Sequence, residues 1–232
     1  MIQIRRHDQR GHSELSWLNS QHTFSFGSYH DAKQMGFRAL RVINEDQVIA
    51  GAGFATHGHR DMEILSYVLS GSLAHRDSMG TGAVLKPGDL QRMSAGTGIE
   101  HSEFNASNTE SVHFLQIWIL PERSGLMPSY EQKSFPAVDR TNRFQRLADR
   151  HGSDGALTIH QDVSVWAANL TANHPIQRAL PHGRYAWLQV AQGQVQLGGH
   201  TLTAGDGVAL FHEPLIKLST DTHAEVLLFD LA

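Results

Sequence analysis

The 232-residue chain contains no cysteine. Disulfides, thiolate-held metals and cysteine nucleophiles are thereby excluded, and any transition metal must sit on His, Asp or Glu. Basic clusters are missing as well: the largest is the pair Arg5-Arg6, and the net charge is −4. The chain therefore offers no electrostatic footprint for nucleic acid or for an anionic membrane. No apolar run approaches the length of a membrane span, since even VHFLQIWIL at 112–120 is interrupted by polar residues. The N-terminal stretch MIQIRRHDQRGHSELSW lacks an apolar core of the kind found in signal peptides, so the expected location is the cytoplasm. Sustained helical periodicity is the last absence. The best helix candidate is short, YEQKSF at 130–135.

What remains is globular in composition, with 40% hydrophobic and 18% charged residues. Short β-branched and aromatic runs alternate with Gly, Asn, Asp and Pro turns: HTFSF (22–26), ALRVI (39–43), QVIAG (47–51), EILSYVLSG (63–71), VHFLQIWIL, AWLQVAQGQVQL (186–197) and EVLLFDL (225–231). The NED at 44–46 reads as a hairpin turn between two of them. The pattern is all-β, a sandwich or barrel. Residues 121–136 carry three prolines and few apolar residues, which places a boundary there: residues 1–128 form one domain and 129–232 a second. An internal repeat supports two similar barrels in tandem. YVLSGSLAHRDSMGTGAVLKPGDL (67–90) can be laid on LQVAQGQVQLGGHTLTAGDGV (188–208), matching Gly71 to Gly193 and the PGD at 87–89 to the AGD at 204–206.

Sixteen histidines are present, so chance pairs are expected, yet HGHRDME at 57–63 stands out. On a strand, residues two apart share a face. His57 and His59 then aim together into a barrel, with Asp61 and Glu63 on the same side if the strand stays regular. A second such pair, His101 and Glu103, lies in GTGIEHSEFN (96–105). Two strands presenting two ligand-type side chains each can close a site of three His and one carboxylate. The competing explanation is an exposed His-x-His on a turn-rich strand. The GTG at 96–98 reads as a tight turn. His113, on one face with Leu115, Ile117 and Ile119, reads as a hydrogen-bonded core histidine. Nothing in the spacing of His22 or His30 ties them to the site. His151, His160, His174, His182, His200, His212 and His223 show no i, i+2 pairing and read as surface or structural.

The spacing from Gly51 through His57, His59 and Glu63 to Gly71 resembles the first cupin motif, and Pro87-Gly88 followed by His101 and Asn105 resembles the second. The segments WLNSQHTFSFGSYHD (17–31), RVINEDQVIAGAGFATHGHRDMEILSYVLSGSLAHRDSMG (41–80), RMSAGTGIEHSE (92–103) and FLQIWILP (114–121) are similar, in order, to the pirin family of bicupins. This resemblance implies two tandem cupin-type jelly-roll barrels. It also implies one divalent metal ion per chain, iron first, with Mn, Ni, Cu or Zn as the other candidates. The ligands carried over from pirins are His57, His59, His101 and Glu103. The general cupin pattern nominates Glu63 instead, which is read here as a partner bracing a ligand histidine. In activity the resemblance implies a dioxygenase of quercetin 2,3-dioxygenase type, taking a flavonol and O₂, with Glu103 as the proton acceptor. The alternative is a non-enzymatic metal- and redox-sensing regulator that binds another protein. The repeat puts Ala179, Pro181 and Tyr185 at the places of His57, His59 and Glu63, and Leu218 at that of His101. With His182 standing alone, the C-terminal barrel is expected to be degenerate and without metal.

Overall fold

The computed structural model describes residues 1–232 and is almost wholly β, with short 3-10 turns and no α-helix. No helix is long and apolar enough to cross a membrane. In chain order the first half carries β1 (Ile2–Arg5), β2 (Gly11–Glu14), β3 (Leu18–His22), β4 (Leu40–Val48), β5 (Gly53–His59), β6 (Glu63–Ser70), β7 (Leu73–Asp77), β8 (Gly82–Leu85), β9 (Asp89–Ser94), β10 (Ile99–Asn105), β11 (Val112–Ile119) and β12 (Ser129–Ser134). The second half carries β13 (Gln145–Asp149), β14 (Leu157–Thr158), β15 (Val163–Thr171), β16 (Ile176–Ala179), β17 (Tyr185–Leu197), β18 (His200–Thr203), β19 (Gly207–Phe211), β20 (Leu215–Ser219) and β21 (His223–Leu231).

Two compact units result. The first comprises residues 11–135 and 157–161; the second comprises 1–10, 136–156 and 162–232. The division therefore falls after residue 135 rather than 128, and two short segments change sides. The reason is strand pairing, which is non-local. The segment expected to be helical, 130–135, forms most of β12, which pairs with β9 from Ser129 opposite Ser94 to Ser134 opposite Asp89.

The first unit packs a seven-stranded sheet, β12-β9-β6-β11-β4-β3-β2, with a four-stranded one, β5-β10-β7-β8. Strand β10 shows the period of two that a half-buried strand requires: Ile99, His101, Glu103 and Asn105 are buried, while Glu100 and Phe104 are exposed. Strand β4 runs unbroken through the NED segment, so the expected turn is absent. Asn44 and Asp46 point inward and are only 3% exposed, and Asn44 pairs with Gln116 of β11. Polar residues there serve the interior rather than a bend.

In the second unit the order is β1-β19-β17-β21-β15-β13, all antiparallel. The 13-residue β17 continues past this sheet to pair with β18 and β20, and β20 in turn pairs with β16. Its hydrophobic core includes Leu170, Ile176, Leu188, Val190, Val226 and Leu228.

The repeat has a physical basis in two glycines. Gly71 (φ +76°) and Gly193 (φ +72°) both adopt the left-handed region. A Cβ would lie 2.5 Å from the Ser111 carbonyl oxygen at Gly71 and 2.1 Å from that of His223 at Gly193. In each unit the chain thus turns hard against the residues entering its central strand, β11 or β21. Gly193→Ala combines left-handed strain with backbone overlap, and should cost about 2–5 kcal/mol of stability. A urea midpoint no lower than that of the parent would show that the close approach is not required.

Candidate metal centre

The site is built on the ladder between β5 and β10, where His57 lies directly opposite His101 and His59 opposite Ile99. A bulge follows, since β5 spends one more residue than β10 between this pair and the pairing of Glu103 with Phe54. The bulge twists β5 and re-aims its side chains. His57 Nδ1 lies 2.8 Å from the Ala55 carbonyl oxygen, so this nitrogen carries the proton and donates. Its Nε2 is left as an acceptor, 3.1 Å from His101 Nε2. The ring centroids of His57, His59 and His101 are 4.5 to 4.8 Å apart, closing a triangle of imidazoles.

Two nitrogens bound at about 2.1 Å to one ion, at right angles, would themselves be about 3 Å apart. The 3.1 Å separation of the two Nε2 atoms fits that spacing. The electrostatics agree with it. Burial, reinforced by its neighbour His57, lowers the pKa of His59 to about 4. Burial lowers that of His101 to about 2, with His57, His59 and His75 adding to the effect. Both rings are neutral at physiological pH, as a ligand imidazole must be.

Glu103 lies two residues along the inward face of β10 and is 1% exposed. Its Oε1 accepts a hydrogen bond from Ser66 Oγ at 3.0 Å, and its Oε2 accepts one from Gln116 Nε2 at 2.5 Å. Burial pushes its pKa up to about 7 despite these two donors. Glu103 groups with His101 and with His75, the potential ligand atoms of these three lying within 4.8 Å of one another. His57, His59 and His101 form the other such group, so His101 is common to both.

His75 escapes a reading that looks for His-x-His pairs. It is fully buried on β7, with Nε2 3.1 Å from Asp77 Oδ2, its ring stacked at 5.0 Å on Tyr130, and Nδ1 without a partner. The His-x-Asp at 75–77 was the available signal. Asn44, Asp46, Ser66 and Gln116 were also missed. Their signal was polarity inside otherwise apolar strands.

Glu63 stands elsewhere. The chain leaves β5 at His59, turns with Asp61 in the left-handed region (φ +49°), and enters the other sheet at Glu63. Asp61 therefore does not continue the inward face; its Oδ1 accepts from the Gly125 N–H at 2.7 Å. Glu63 accepts from Ser94 Oγ at 3.0 Å and from the His160 backbone N–H at 3.2 Å, and His160 Nδ1 lies 3.3 Å from both carboxylate oxygens. It braces His160 rather than a member of the imidazole triangle. His113 is hydrogen-bonded as expected, at 2.9 Å to Glu45, though half-buried rather than in the core. His22 reaches the pocket wall, held at 2.8 Å by both Asn44 and Ser13, whereas His30 is exposed.

A pocket of about 490 Å³ opens on His57, His59 and Glu103. Trp17, Phe26, Phe54 and Trp118 give it aromatic walls, and Trp118 stands edge-on to His59 at 4.9 Å. Asp46 on the same wall is buried and bonded by Ser20, and burial raises its pKa to about 7.

Two β-sandwich units of like topology, one carrying an aromatic pocket that opens on two members of a histidine triangle, define a two-domain protein of cupin type. Within that class the chain belongs to the pirin family. The Pirin family matches residues 3–119, and the quercetinase C-terminal cupin domain matches residues 147–231. The chain is 46% identical to a quercetin 2,3-dioxygenase of Escherichia coli K12 over 100% of its own length and 99% of that protein's. It is 39% identical to a pirin-like protein of Caulobacter vibrioides, with 100% of both covered. The crystal structure of the bacterial pirin YhhW from Escherichia coli in complex with nickel(II) superposes with a TM-score of 0.95 at 44% identity, over 100% of this chain and 99% of that one.

Proposed function

We propose that this protein is a dioxygenase of quercetin 2,3-dioxygenase type, acting on flavonols with one divalent metal ion held by His57, His59, His101 and Glu103. The observation that carries the reading is the aromatic pocket opening onto the imidazole triangle with an acid of raised pKa in its wall. Relatives named for the same activity, and a nickel-bound relative, support it. A set of three imidazoles and a carboxylate suits first-row divalent ions, which keep further positions open. Bound there, such an ion supplies Lewis-acid polarisation of a substrate oxygen and electron transfer toward O₂.

The chain's own residues supply the rest. The cavity lies in the range that encloses planar, drug-sized molecules. Trp17, Phe26, Phe54 and Trp118 offer ring faces and edges to a flavonol, and exclude water around it. Glu103 takes the proton of the substrate hydroxyl. Burial around this carboxyl favours its protonated form, which helps it accept the substrate's proton. Ser66 and Gln116 fix its two oxygens so that it meets the substrate in one orientation. Oxygen uptake by metal-loaded protein over a panel of flavonols tests the function. A fully loaded protein that consumes no O₂ with any of them refutes it.

Metal loading should be proton-linked, with a sign set by Glu103. His59 and His101 are already neutral above about pH 5 and have no proton to lose. Glu103 carries a proton below about pH 7 that must leave before its carboxylate can coordinate. Affinity should therefore rise about tenfold per pH unit between roughly pH 5 and 7, and level off above. Nickel titrations across this range measure the slope; a flat profile would exclude Glu103 from the ligand set. The same experiment should give about one tightly bound ion per chain, since both groups of candidate ligands lie in the first unit and share His101.

A further inference from the structure

The second unit has its own cleft, of about 560 Å³, lined among others by Arg143, Phe144, Pro175, Ile176, Gln177 and Arg178. No carboxylate lines it. Its location follows from the repeat. With Leu218 at the place of His101, the β16–β20 ladder sets Ile176 opposite Leu218 as His57 stands opposite His101. Arg178, opposite Ile216, then takes the place of His59, opposite Ile99, so strand pairing moves the expected places of His57 and His59 from Ala179 and Pro181 to Ile176 and Arg178. Where the first unit presents imidazoles, the second presents a guanidinium.

We propose that this cleft binds a small organic carboxylate, with Arg178 holding the anionic group and Phe144 and Ile176 receiving its apolar body. The guanidinium carbon of Arg178 lies over the Trp166 indole, 3.3 Å from the ring centroid. Contact with the indole face holds the guanidinium in place and leaves its terminal N–H groups for an anionic partner. Arg178 makes no hydrogen bond or ion pair, and its Nε is buried without a partner. The neighbouring charges are committed elsewhere. Asp230 bonds Arg184 at 2.7 Å, and Arg146, also over Trp166 at 4.6 Å, pairs with Asp149 at 3.0 Å and Asp154 at 3.3 Å. Burial already pulls the Arg178 guanidinium below its ordinary range, with Arg146 adding to the effect and Asp230 opposing it. A bound anion relieves that cost. Gln177, exposed, borders the cleft.

The test uses the full chain loaded with zinc, which is diamagnetic, and benzoate as the probe. The indole N–H resonance of Trp166, identified by its loss in Trp166→Phe, should shift saturably with benzoate and stay still with benzamide. Arg178→Gln should weaken binding by at least about tenfold, the weight of a charged hydrogen bond. Gln177→Glu, which leaves the Arg178 contact with Trp166 untouched and adds a negative charge at the rim, should weaken it as well. Benzoate that shifts the Trp118 indole alone would place the ligand in the metal pocket and overturn the proposal. So would undiminished affinity in both variants, or inorganic phosphate binding as tightly as benzoate.

Discussion

Glu103→Gln should keep most of the metal and lose the flavonol reaction. The amide oxygen can still coordinate, and the shape of the side chain is unchanged. Ser66 and Gln116 remain to hold it at either end. What disappears is proton acceptance, and removal of a general base alone typically costs about 10²–10⁴-fold. The rate of O₂ uptake at saturating flavonol, set against bound metal, gives the comparison. Glu63→Gln is the control. That carboxylate serves Ser94 and His160, so its loss should lower stability by about 1–3 kcal/mol and leave turnover per bound metal intact. The opposite pattern, with Glu63→Gln inactive and Glu103→Gln active, would move the base to the position favoured by the general cupin pattern.

His101→Ala should be the most damaging single change to metal binding. His101 faces His57 across the ladder and belongs to both groups of candidate ligands, so no alternative placement of the ion avoids it. Loss of a residue that merely orients a ligand costs about 10–100-fold in affinity, and loss of a shared ligand should exceed that. His57→Ala and His75→Ala make the result diagnostic. If the ion sits in the triangle, His57→Ala weakens binding strongly and His75→Ala only mildly. The reverse order, read by nickel titration with circular dichroism confirming the β fold, would place the ion with His75, His101 and Glu103 and defeat the proposed ligand set.

The all-β character was legible because strand periodicity is local: β10 alternates buried and exposed residues as GTGIEHSEFN suggests. Closeness of His57, His59 and His101 was legible for the same reason, since two i, i+2 pairs on adjacent strands share a face. What stayed hidden depends on partners distant in sequence. Residues 44–46 resemble a turn by composition, but a continuous ladder with β3 and β11 overrides the local preference and turns Asn44 and Asp46 into pocket wall. Residues 130–134 have no apolar period of their own and take their strand conformation from β9. Asp61 and Glu63 were misplaced because one left-handed residue ended the regular strand that the expectation required. His75 is visible only once β7 is known to lie beside β10.

The pairing of β1 with β19 has a consequence for synthesis. Ile2 lies opposite Leu210 in the finished ladder, yet the ribosome makes it some two hundred residues earlier. At about 5–20 residues per second, the N-terminal strand waits roughly 10–40 s for its partner to exist. Throughout that interval the nascent arm is an unmatched ribbon. Once β19 emerges, its edge is a template for any available strand, including that of a neighbouring chain. Closure of the second sheet is therefore a late event in biogenesis, and vectorial folding leaves this edge as the point where crowded polysomes could exchange arms.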